Sequence, residues 1–300
     1  MAEPVAPPSP LGAWWLAIRP KTLTVSVAPL IVGHAVAWSQ TGWLLWQPAL
    51  VALLAALLIQ IGTNLHNDVG DFERGTDTPD RLGPPRVTAM GWLPATAVRR
   101  AAWLAFALAF NFGIFLVYHG GWPIVAIGLA SLLAGWAYTG GPWPLAYTPL
   151  GELFVVLFFG LAAVGGSYYL QTLSISPAAL LAGAMLGLFA AAVITVNNYR
   201  DLETDARAGK RTLAVVVGRR ATQWVYALEL LLPLLLLPLL ATLAGRGPWL
   251  ALPLLVLLPA LRLLQRFRRE PAGPLFNELL ASTARLQLVY ALLLALAMVV

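Results

Sequence analysis

Residues 177–205 read PAALLAGAMLGLFAAAVITVNNYRDLETD, a long apolar run that ends in asparagine, arginine and acidic residues. A helix needs about 20 apolar residues to cross a bilayer, and the first part of this stretch supplies them. The rest of the chain is similar, since 59% of its 300 residues are hydrophobic, 11% are charged and the mean hydropathy is +0.77. These values, together with the lack of cysteine, exclude a soluble enzyme, a disordered protein and a disulfide-stabilised secreted domain.

Similar apolar runs recur along the chain and predict nine membrane-spanning helices. Their approximate bounds are 22–41, 46–67, 95–117, 121–140, 150–171, 177–199, 222–244, 248–264 and 279–300. The runs are continuous rather than alternating, which excludes the strands of a membrane β-barrel. We therefore expect an all-α, polytopic membrane protein with its helices around a central cavity. A disordered tail is expected at 1–11 and a single transmembrane domain at 12–300.

Basic residues lie almost entirely on one side of this topology. Of the 19 Lys and Arg residues, only Arg246 falls in a loop on the opposite side, and Arg285 lies inside the last span. Because Lys and Arg concentrate in cytoplasmic loops, the N-terminus and the loops at 68–94, 200–221 and 262–275 are predicted to be cytoplasmic, in a cell inner membrane. Topology and anionic lipid headgroups then explain the net charge of +6, and no nucleic acid is required.

Most acidic residues gather in two of these loops, each at the end of an even-numbered span. They are Asp68, Asp71, Glu73, Asp77 and Asp80 after the second span, and Asp201, Glu203 and Asp205 after the sixth. The residues whose spacing places them on one helix face are Asn64, Asp68 and Asp71 in the first cluster, and Asn197, Asp201 and Asp205 in the second. The pattern Asn-x-x-x-Asp thus occurs twice, four spans apart. This suggests a pseudo-repeat of four-helix units that places the clusters opposite each other across one cleft.

Acids this close on a helix repel each other unless cations lie between them. Mg²⁺ suits such a pair of clusters, because it prefers oxygen ligands and often links carboxylates to substrate phosphates. Basic residues also follow each cluster, which a metal alone would not require but a metal-bound diphosphate would. They are Arg74, Arg81 and Arg86 after the first cluster, and Lys210 and Arg211 after the second. The sequence therefore predicts a Mg²⁺–diphosphate site, and the alternative is a solvated loop of mixed charge.

Four segments form a recognisable set. They are RPKTL at 19–23, NLHNDVGD at 64–71 with the residues up to Arg86, YTG at 138–140 with Tyr147, Glu152 and Phe159, and NNYRDLETD at 197–205 with the residues up to Gly218. The set resembles the UbiA-type intramembrane aromatic prenyltransferases, and most closely the branch that prenylates 1,4-dihydroxy-2-naphthoate in menaquinone biosynthesis. The resemblance covers roughly residues 12–220, and the last three spans contribute only hydropathy. The family's broader first motif ends in an aspartate where this chain has Gly75, which leaves open whether Glu73 or Asp77 contacts metal.

The resemblance implies transfer of a polyprenyl group from polyprenyl diphosphate to an aromatic acid, with loss of CO₂ and diphosphate, giving demethylmenaquinol. It implies two Mg²⁺ ions, with ligands expected to be Asp68, Asp71, Asp201 and Asp205 alongside Asn64, Asn67 and Asn197. Lys210 is expected to act with them in catalysis. Substrate contacts are expected from Arg19, Lys21, Asn64, Asn67, Arg74, Arg81, Arg86, Tyr138, Tyr147, Glu152, Asn197, Asn198, Arg200 and Arg211. Arg19 or Lys21 would bind the acceptor carboxylate, and the ring faces of Tyr138, Tyr147 and Phe159 are candidates to stabilise the allylic cation.

Several alternatives stay open at this point. Another aromatic acid, such as homogentisate or 4-hydroxybenzoate, is an alternative acceptor. A secondary transporter or a membrane scaffold would be a different class of protein. A transporter needs ionisable groups near the middle of its spans. Most span centres in this sequence lack such groups, and Glu229 is the exception. Glycines such as Gly160 and Gly183 would serve close helix packing or leave room for an isoprenoid groove. The sequence predicts no obligate protein partner, and it does not determine prenyl chain length, oligomeric state or the roles of Glu152 and Glu229.

Overall fold

A computed structural model describes residues 7–77 and 82–300, and within these residues the regular secondary structure is helical. The predicted site residues Asp80 and Arg81 and most of the predicted tail lie outside the described residues. Pro10 and Leu11, which the sequence analysis assigns to the tail, begin the first helix. Ser9 caps that helix by accepting a hydrogen bond from the Gly12 amide at 3.2 Å, and Pro10 suits the first helical position because its missing N–H needs no partner there.

The helices are numbered in chain order. They are α1 (Pro10–Ile18), α2 (Pro20–Thr41), α3 (Trp46–Glu73), α4 (Ala95–Gly120), α5 (Trp122–Ala137), α6 (Gly151–Thr172), α7 (Pro177–Arg200), α8 (Leu202–Arg207), α9 (Leu213–Ala244), α10 (Pro248–Arg269) and α11 (Phe276–Val299). Within the described part of the chain, 8 of them are long and apolar enough to cross a membrane, which confirms the polytopic all-α prediction. The exception among the predicted spans is α5, because its 16 residues are fewer than the 20 or so that a full crossing needs.

Two spans depart from regular α-helix. In α6, residues Val156–Ala162 form π-helical turns, and α10 begins with the 3₁₀ helix Pro248–Val256. Pro253 lies in this 3₁₀ segment, where its missing N–H costs less than it would inside an α-helix. The tighter 3₁₀ winding rises more per residue, so a stretch that looks short by sequence covers more of the membrane thickness.

Glycines allow α6 and α7 to cross closely. A Cβ atom on Gly160 would lie 2.8 Å from Cα of Gly187, and one on Gly183 would lie 3.0 Å from the carbonyl oxygen of Gly160. Neither position accommodates a side chain without moving the backbone, so these glycines serve helix packing. Gly166, in contrast, lines an apolar cavity described below.

The two acid clusters differ in local structure. Helix α3 continues without a break through Asp68 and Asp71 to Glu73, as the spacing predicts. The prediction of one continuous helix through Asn197, Asp201 and Asp205 is wrong, because α7 ends at Arg200 and α8 begins at Leu202. The amide of Asp201 still donates to the Asn197 carbonyl at 3.1 Å, and the amide of Asp205 donates to the Asp201 carbonyl at 2.7 Å. Asp201 and Asp205 therefore stay on the same side of the junction between α7 and α8.

The packing of the C-terminal helices places the start of α11 near the two acid clusters. Helix α3 packs along α4, while α11 packs along both α2 and α7. One large apolar cluster, with Phe189, Tyr226, Phe267 and Tyr290 among its buried members, joins α2, α6, α7, α9, α10 and α11. The start of α11 consequently lies beside the ends of α3 and α7, where the acid clusters are.

Candidate active site

One cavity of about 510 Å³, here called the polar cavity, is lined by Asp68 and Asp71 of the first acid cluster and by Asp201 and Asp205 of the second. The predicted site residues in its lining are Arg19, Lys21, Asn64, Asn67, Asp68, Asp71, Arg86, Tyr138, Asn197, Asn198, Arg200, Asp201, Asp205 and Lys210. Those that the structure places outside the lining are Arg74, Tyr147, Glu152 and Arg211. The two Asn-x-x-x-Asp segments therefore meet across one cleft, as their recurrence predicts.

Four side chains contact the carboxylate of Asp71. Its Oδ2 accepts a hydrogen bond from Arg86 Nη2 at 2.9 Å, and its Oδ1 accepts one from the Tyr147 hydroxyl at 3.1 Å. Thr76 Oγ1 and Lys210 Nζ lie 3.3 Å and 3.5 Å from the same Oδ1. Burial and the neighbouring Asp71 raise the pKa of Tyr147 above its ordinary value, so the phenol stays protonated as a donor.

Lys210 joins the two clusters. Its Nζ lies 3.5 Å from Asp71 Oδ1 and 3.9 Å from Asp205 Oδ1, and it sits over the Tyr147 ring at 4.7 Å from the centroid. One ammonium thus neutralises part of the charge of both clusters. The same charge is available to an anion that enters between them.

Asp68 and Asn67 are held by loop groups from other parts of the chain. Asp68, which is 1% exposed, accepts a hydrogen bond from the Thr88 amide at 3.0 Å. Asn67 Oδ1 accepts one from the Thr139 hydroxyl at 2.7 Å. These contacts aim the two side chains from α3 into the cavity and fix their rotamers.

Asn64 holds the corner between α1 and α2. Arg19 occupies this corner with φ of 56°, a left-handed conformation that is uncommon for a residue other than glycine. The Asn64 amide donates to the Ile18 carbonyl at 2.8 Å and to Thr22 Oγ1 at 3.1 Å, one contact on either side of Arg19. The corner places Arg19 and Lys21 in the lining of the polar cavity.

In the second cluster, the buried Arg200 forms an ion pair with Asp201. Its Nε donates to Asp201 Oδ1 at 2.8 Å and its Nη2 donates to Oδ2 at 2.6 Å, a bidentate pair. The same Nη2 donates to Asn197 Oδ1 at 2.8 Å. Arg200 therefore orients the acid and the amide of the second motif together.

The structure distinguishes Glu73 from Asp77, the two acids for which the sequence leaves open which one contacts metal. The Glu73 side chain is 52% exposed and pairs with Arg99 on the outside of the bundle. The Asp77 side chain is 2% exposed, and its Oδ1 lies 3.7 Å from Nε of Arg86, the residue that also holds Asp71. Asp77 is thus the acid that the structure connects to the first cluster.

Two of the predicted cationic contacts have other partners. The exposed Arg74 donates to the carbonyl oxygens of Thr139 and Gly141, the second at 2.8 Å, and so ties the end of α3 to the loop after α5. Arg211 has an exposed side chain, and its backbone amide donates to the Tyr147 carbonyl at 3.0 Å. Both residues hold loops around the cavity.

A second cavity, of about 470 Å³, adjoins the first and is here called the apolar cavity. Helices α3, α4, α5 and α6 supply most of its lining. The residues that line both cavities are Gln60, Thr63, Tyr138, Val155 and Phe159. Tyr138 and Phe159, two of the three aromatic residues that the sequence analysis names, therefore lie at the boundary between the polar and apolar cavities.

Two buried carboxyls lie behind the cavity wall. Glu152 Oε1 accepts a hydrogen bond from Asn198 Nδ2 at 2.9 Å, so Glu152 orients an amide of the polar cavity. Glu229 Oε1 accepts one from Thr195 Oγ1 at 3.0 Å, in the interface of α7 and α9. Thr195 and Asn198 are one turn apart on α7, so both carboxyls brace the same helix.

The donor chemistry of the polar cavity fits Mg²⁺ together with an anionic ligand. Among residues 7–77 and 82–300, no group of three or more His, Asp or Glu side chains could hold a metal ion by itself. Mg²⁺ usually binds one or two carboxylates and completes its shell with water and substrate phosphate oxygens. Arg86 Nη1 is buried and has no hydrogen-bond partner in the described part of the chain, so it suits a phosphate oxygen.

Sequence reasoning missed Gln60, Thr63, Thr139 and Asn277. Gln60 and Thr63 lie within apolar α3 one turn before Asn64 and Asn67, so their polarity inside a span was an available signal. Thr139 is part of the quoted YTG segment, but its bond to Asn67 was not predictable. Asn277 had no signal, because it lies outside the four segments of the resemblance and just before the last predicted span, yet it lines the polar cavity.

Proteins of known family resemble this chain over most of its length. The sequence profile of the UbiA prenyltransferase family matches residues 26–277. The chain is 38% identical to the 1,4-dihydroxy-2-naphthoate octaprenyltransferase of Escherichia coli over 255 residues, which are 81% of this chain and 82% of that protein. It is 35% identical to the Mycobacterium tuberculosis protein of the same name over 285 residues, 94% of this chain and 95% of that protein.

Solved structures agree on the fold. A UbiA homolog from Archaeoglobus fulgidus bound to GPP and Mg²⁺ superposes with a TM-score of 0.71. The superposition covers 96% of this chain and 99% of that one, at 16% sequence identity.

Proposed function

The chain belongs to the UbiA prenyltransferase family, and we propose that it transfers a polyprenyl group from a polyprenyl diphosphate to 1,4-dihydroxy-2-naphthoate. The observation that carries the proposal is the junction of the two cavities. A polar cavity with acids and cations meets an apolar cavity across one wall, as a substrate with a diphosphate head and an isoprenoid tail requires. The names of the relatives support the naphthoate as acceptor.

The diphosphate would bind between the acid clusters. Asp68, Asp71, Asp201 and Asp205 would hold Mg²⁺, two ions being the number we propose, and the metal would neutralise charge on the leaving diphosphate. Lys210, which already contacts Asp71 and Asp205, would bind the diphosphate from between them. Arg86 would donate from its unpartnered Nη1.

The reacting carbon would lie at the shared wall. The allylic C–O bond breaks with its electron pair going to the diphosphate, and the ring carbon that bears the carboxylate forms the new C–C bond. The bond to the carboxylate then breaks, CO₂ leaves, and its electron pair restores the aromatic ring. Tyr138 and Phe159 lie where their ring faces would stabilise the allylic cation, and the apolar lining excludes water from it.

The acceptor carboxylate would bind at the α1–α2 corner. Arg19 and Lys21 both line the polar cavity there, and their charges oppose that of the acid. Tyr138 lines the same cavity, and its hydroxyl would donate to an acceptor oxygen.

The proposed orientation places the site on the cytoplasmic side of the inner membrane. The concentration of Lys and Arg around this end of the bundle supports it. The isoprenoid would then enter laterally through the apolar cavity.

An assay with purified protein in nanodiscs tests the proposal. With a polyprenyl diphosphate, Mg²⁺ and carboxyl-labelled 1,4-dihydroxy-2-naphthoate, we expect labelled CO₂, diphosphate and the prenylated product in equal amounts, and no product when EDTA is present. Homogentisate and 4-hydroxybenzoate are the comparison acceptors, with products identified by mass spectrometry. A preference for either one would overturn the acceptor assignment. Transport of an intact substrate into proteoliposomes without product would overturn the enzymatic function.

The size of the apolar cavity should govern donor length. Gly128 lines this cavity, and a Cβ atom there would meet no other atom within 4 Å. It lies ten residues, or about 15 Å of helix, from Tyr138 at the cavity boundary. Gly128→Leu should therefore lower kcat/KM for a long polyprenyl diphosphate about tenfold relative to geranyl diphosphate, measured with the same preparation. Equal losses with both donors would place the tail elsewhere.

A further inference from the structure

Asn277, which lies outside the four sequence segments described above, connects the two acid clusters through its side-chain contacts. Its Oδ1 accepts a hydrogen bond from Arg200 Nη1 at 2.5 Å, and Arg200 holds both oxygens of Asp201. Its Nδ2 donates to the Leu82 carbonyl at 3.0 Å. A single amide therefore contacts the second cluster on one side and the loop after the first cluster on the other.

The Leu82 contact leads back to the first cluster within a few residues. Leu82 precedes Pro84 and Pro85, whose fixed φ angles stiffen the segment, and Arg86 follows them. Arg86 pairs with Asp71 at 2.9 Å. The described chain thus contains a path from Asp201 to Asp71 that consists of direct contacts and the short segment 82–86, in which Gly83 separates Leu82 from the two prolines.

The chemistry of the side chain suits this position. Arg200 presents only donors and the Leu82 carbonyl only accepts, so the residue between them must both accept and donate, as a primary amide does. Asn277 lies in the first turn of α11, and Leu280 and Ala281, about one turn further on, line the same cavity.

We propose that Asn277 is a positioning residue that sets the separation of the two carboxylate clusters for binding of Mg²⁺ and diphosphate. The inference rests on the proposed function for the identity of the ligand. Because Asn277 acts through Arg200 and the 82–86 segment, its loss should affect the metal and the diphosphate but not the aromatic acceptor, whose carboxylate is expected at Arg19 and Lys21.

Two substitutions separate the two contacts. Asn277→Asp keeps an acceptor for Arg200 and loses the donor to Leu82, whereas Asn277→Leu loses both. With Asn277→Leu, the half-saturating Mg²⁺ concentration and the KM for polyprenyl diphosphate should each rise about tenfold, with the KM for the naphthoate unchanged. Asn277→Asp should fall between this variant and the wild type.

A matched control tests for a merely structural effect. Thr283→Val removes the 2.8 Å contact with the Tyr226 hydroxyl deeper along the same helix, away from the cavity lining. It should lower the melting temperature in detergent without changing either kinetic constant. If Thr283→Val raised the Mg²⁺ requirement as much as Asn277→Leu does, the positioning role would be overturned.

A binding measurement distinguishes failure of the inference from failure of the function. Inorganic pyrophosphate with Mg²⁺ should raise the melting temperature of the wild type, and the rise should be smaller at equal ligand concentration for Asn277→Leu. A wild type that neither responds nor forms product would contradict the proposed function. A wild type that responds while Asn277→Leu responds equally would contradict the role of Asn277 alone.

Discussion

The Asp71→Asn variant should keep its fold and transfer prenyl groups about 10³-fold more slowly than the wild type, measured as prenylated product per minute at saturating substrates. The substitution preserves the shape of the side chain but removes the charge that four neighbouring groups contact. Arg86 and Lys210 would then carry charge without this carboxylate between them. The substitution would therefore remove a proposed metal ligand and would also disturb the alignment of Arg86 and Lys210, the two proposed diphosphate contacts.

Glu73 provides the matched control for Asp71. It lies two residues further along the same helix, but its half-exposed carboxylate pairs with Arg99 outside the cavity. Exposed ion pairs of this kind contribute little, so Glu73→Gln should stay within about twofold of wild-type activity. An Asp71→Asn variant with more than about a tenth of wild-type activity would show that Asp71 is not a metal ligand.

Replacement of Arg200 should cause the largest loss of stability. The Arg200 side chain is 1% exposed, and it donates to Asp201, Asn197 and Asn277. Arg200→Met would leave a largely buried aspartate without its cation, which typically costs about 3–5 kcal/mol. We expect a corresponding fall in the free energy of unfolding, measured by denaturation in mixed micelles, and a loss of activity.

Arg200→Lys and Arg207→Met make the Arg200 result interpretable. Lysine keeps the charge but cannot form the bidentate pair and reach Asn277 as well, so Arg200→Lys should recover only part of the stability. Arg207 is exposed on α8, and substitutions of exposed residues usually change the unfolding free energy by no more than about 0.5 kcal/mol, which is the change we expect for Arg207→Met. Equal effects at 200 and 207 would mean that the contacts of Arg200 do not hold the second cluster.

Much of the site was predictable because its residues are polar groups at the ends of apolar spans. Asp68, Asp71, Asp201 and Asp205 stand out by spacing and recurrence, and all four line the polar cavity. Asn64 was predictable as a site residue, but its amide is engaged with the corner around Arg19. Arg74 and Tyr147 carry the right chemistry, yet they contact loop carbonyls and Asp71 from outside the lining. Spacing along a helix cannot distinguish such roles, because they depend on the element packed against that helix.

The sequence by itself determined the membrane class, the positions of most spans and the presence of an acid cluster at the ends of two of them. These properties are local, because each follows from the hydropathy and charge of a single helix. An apolar stretch of sufficient length crosses the membrane, and charged residues are costly within it. Only the tertiary structure decided that Asp77 rather than Glu73 joins the first cluster, that Asn197 and Asp205 belong to separate helices, and that Asn277 enters the site. The physical reason is that each of these facts depends on contacts between residues far apart in the chain, which packing of α11 against α2 and α7 brings together.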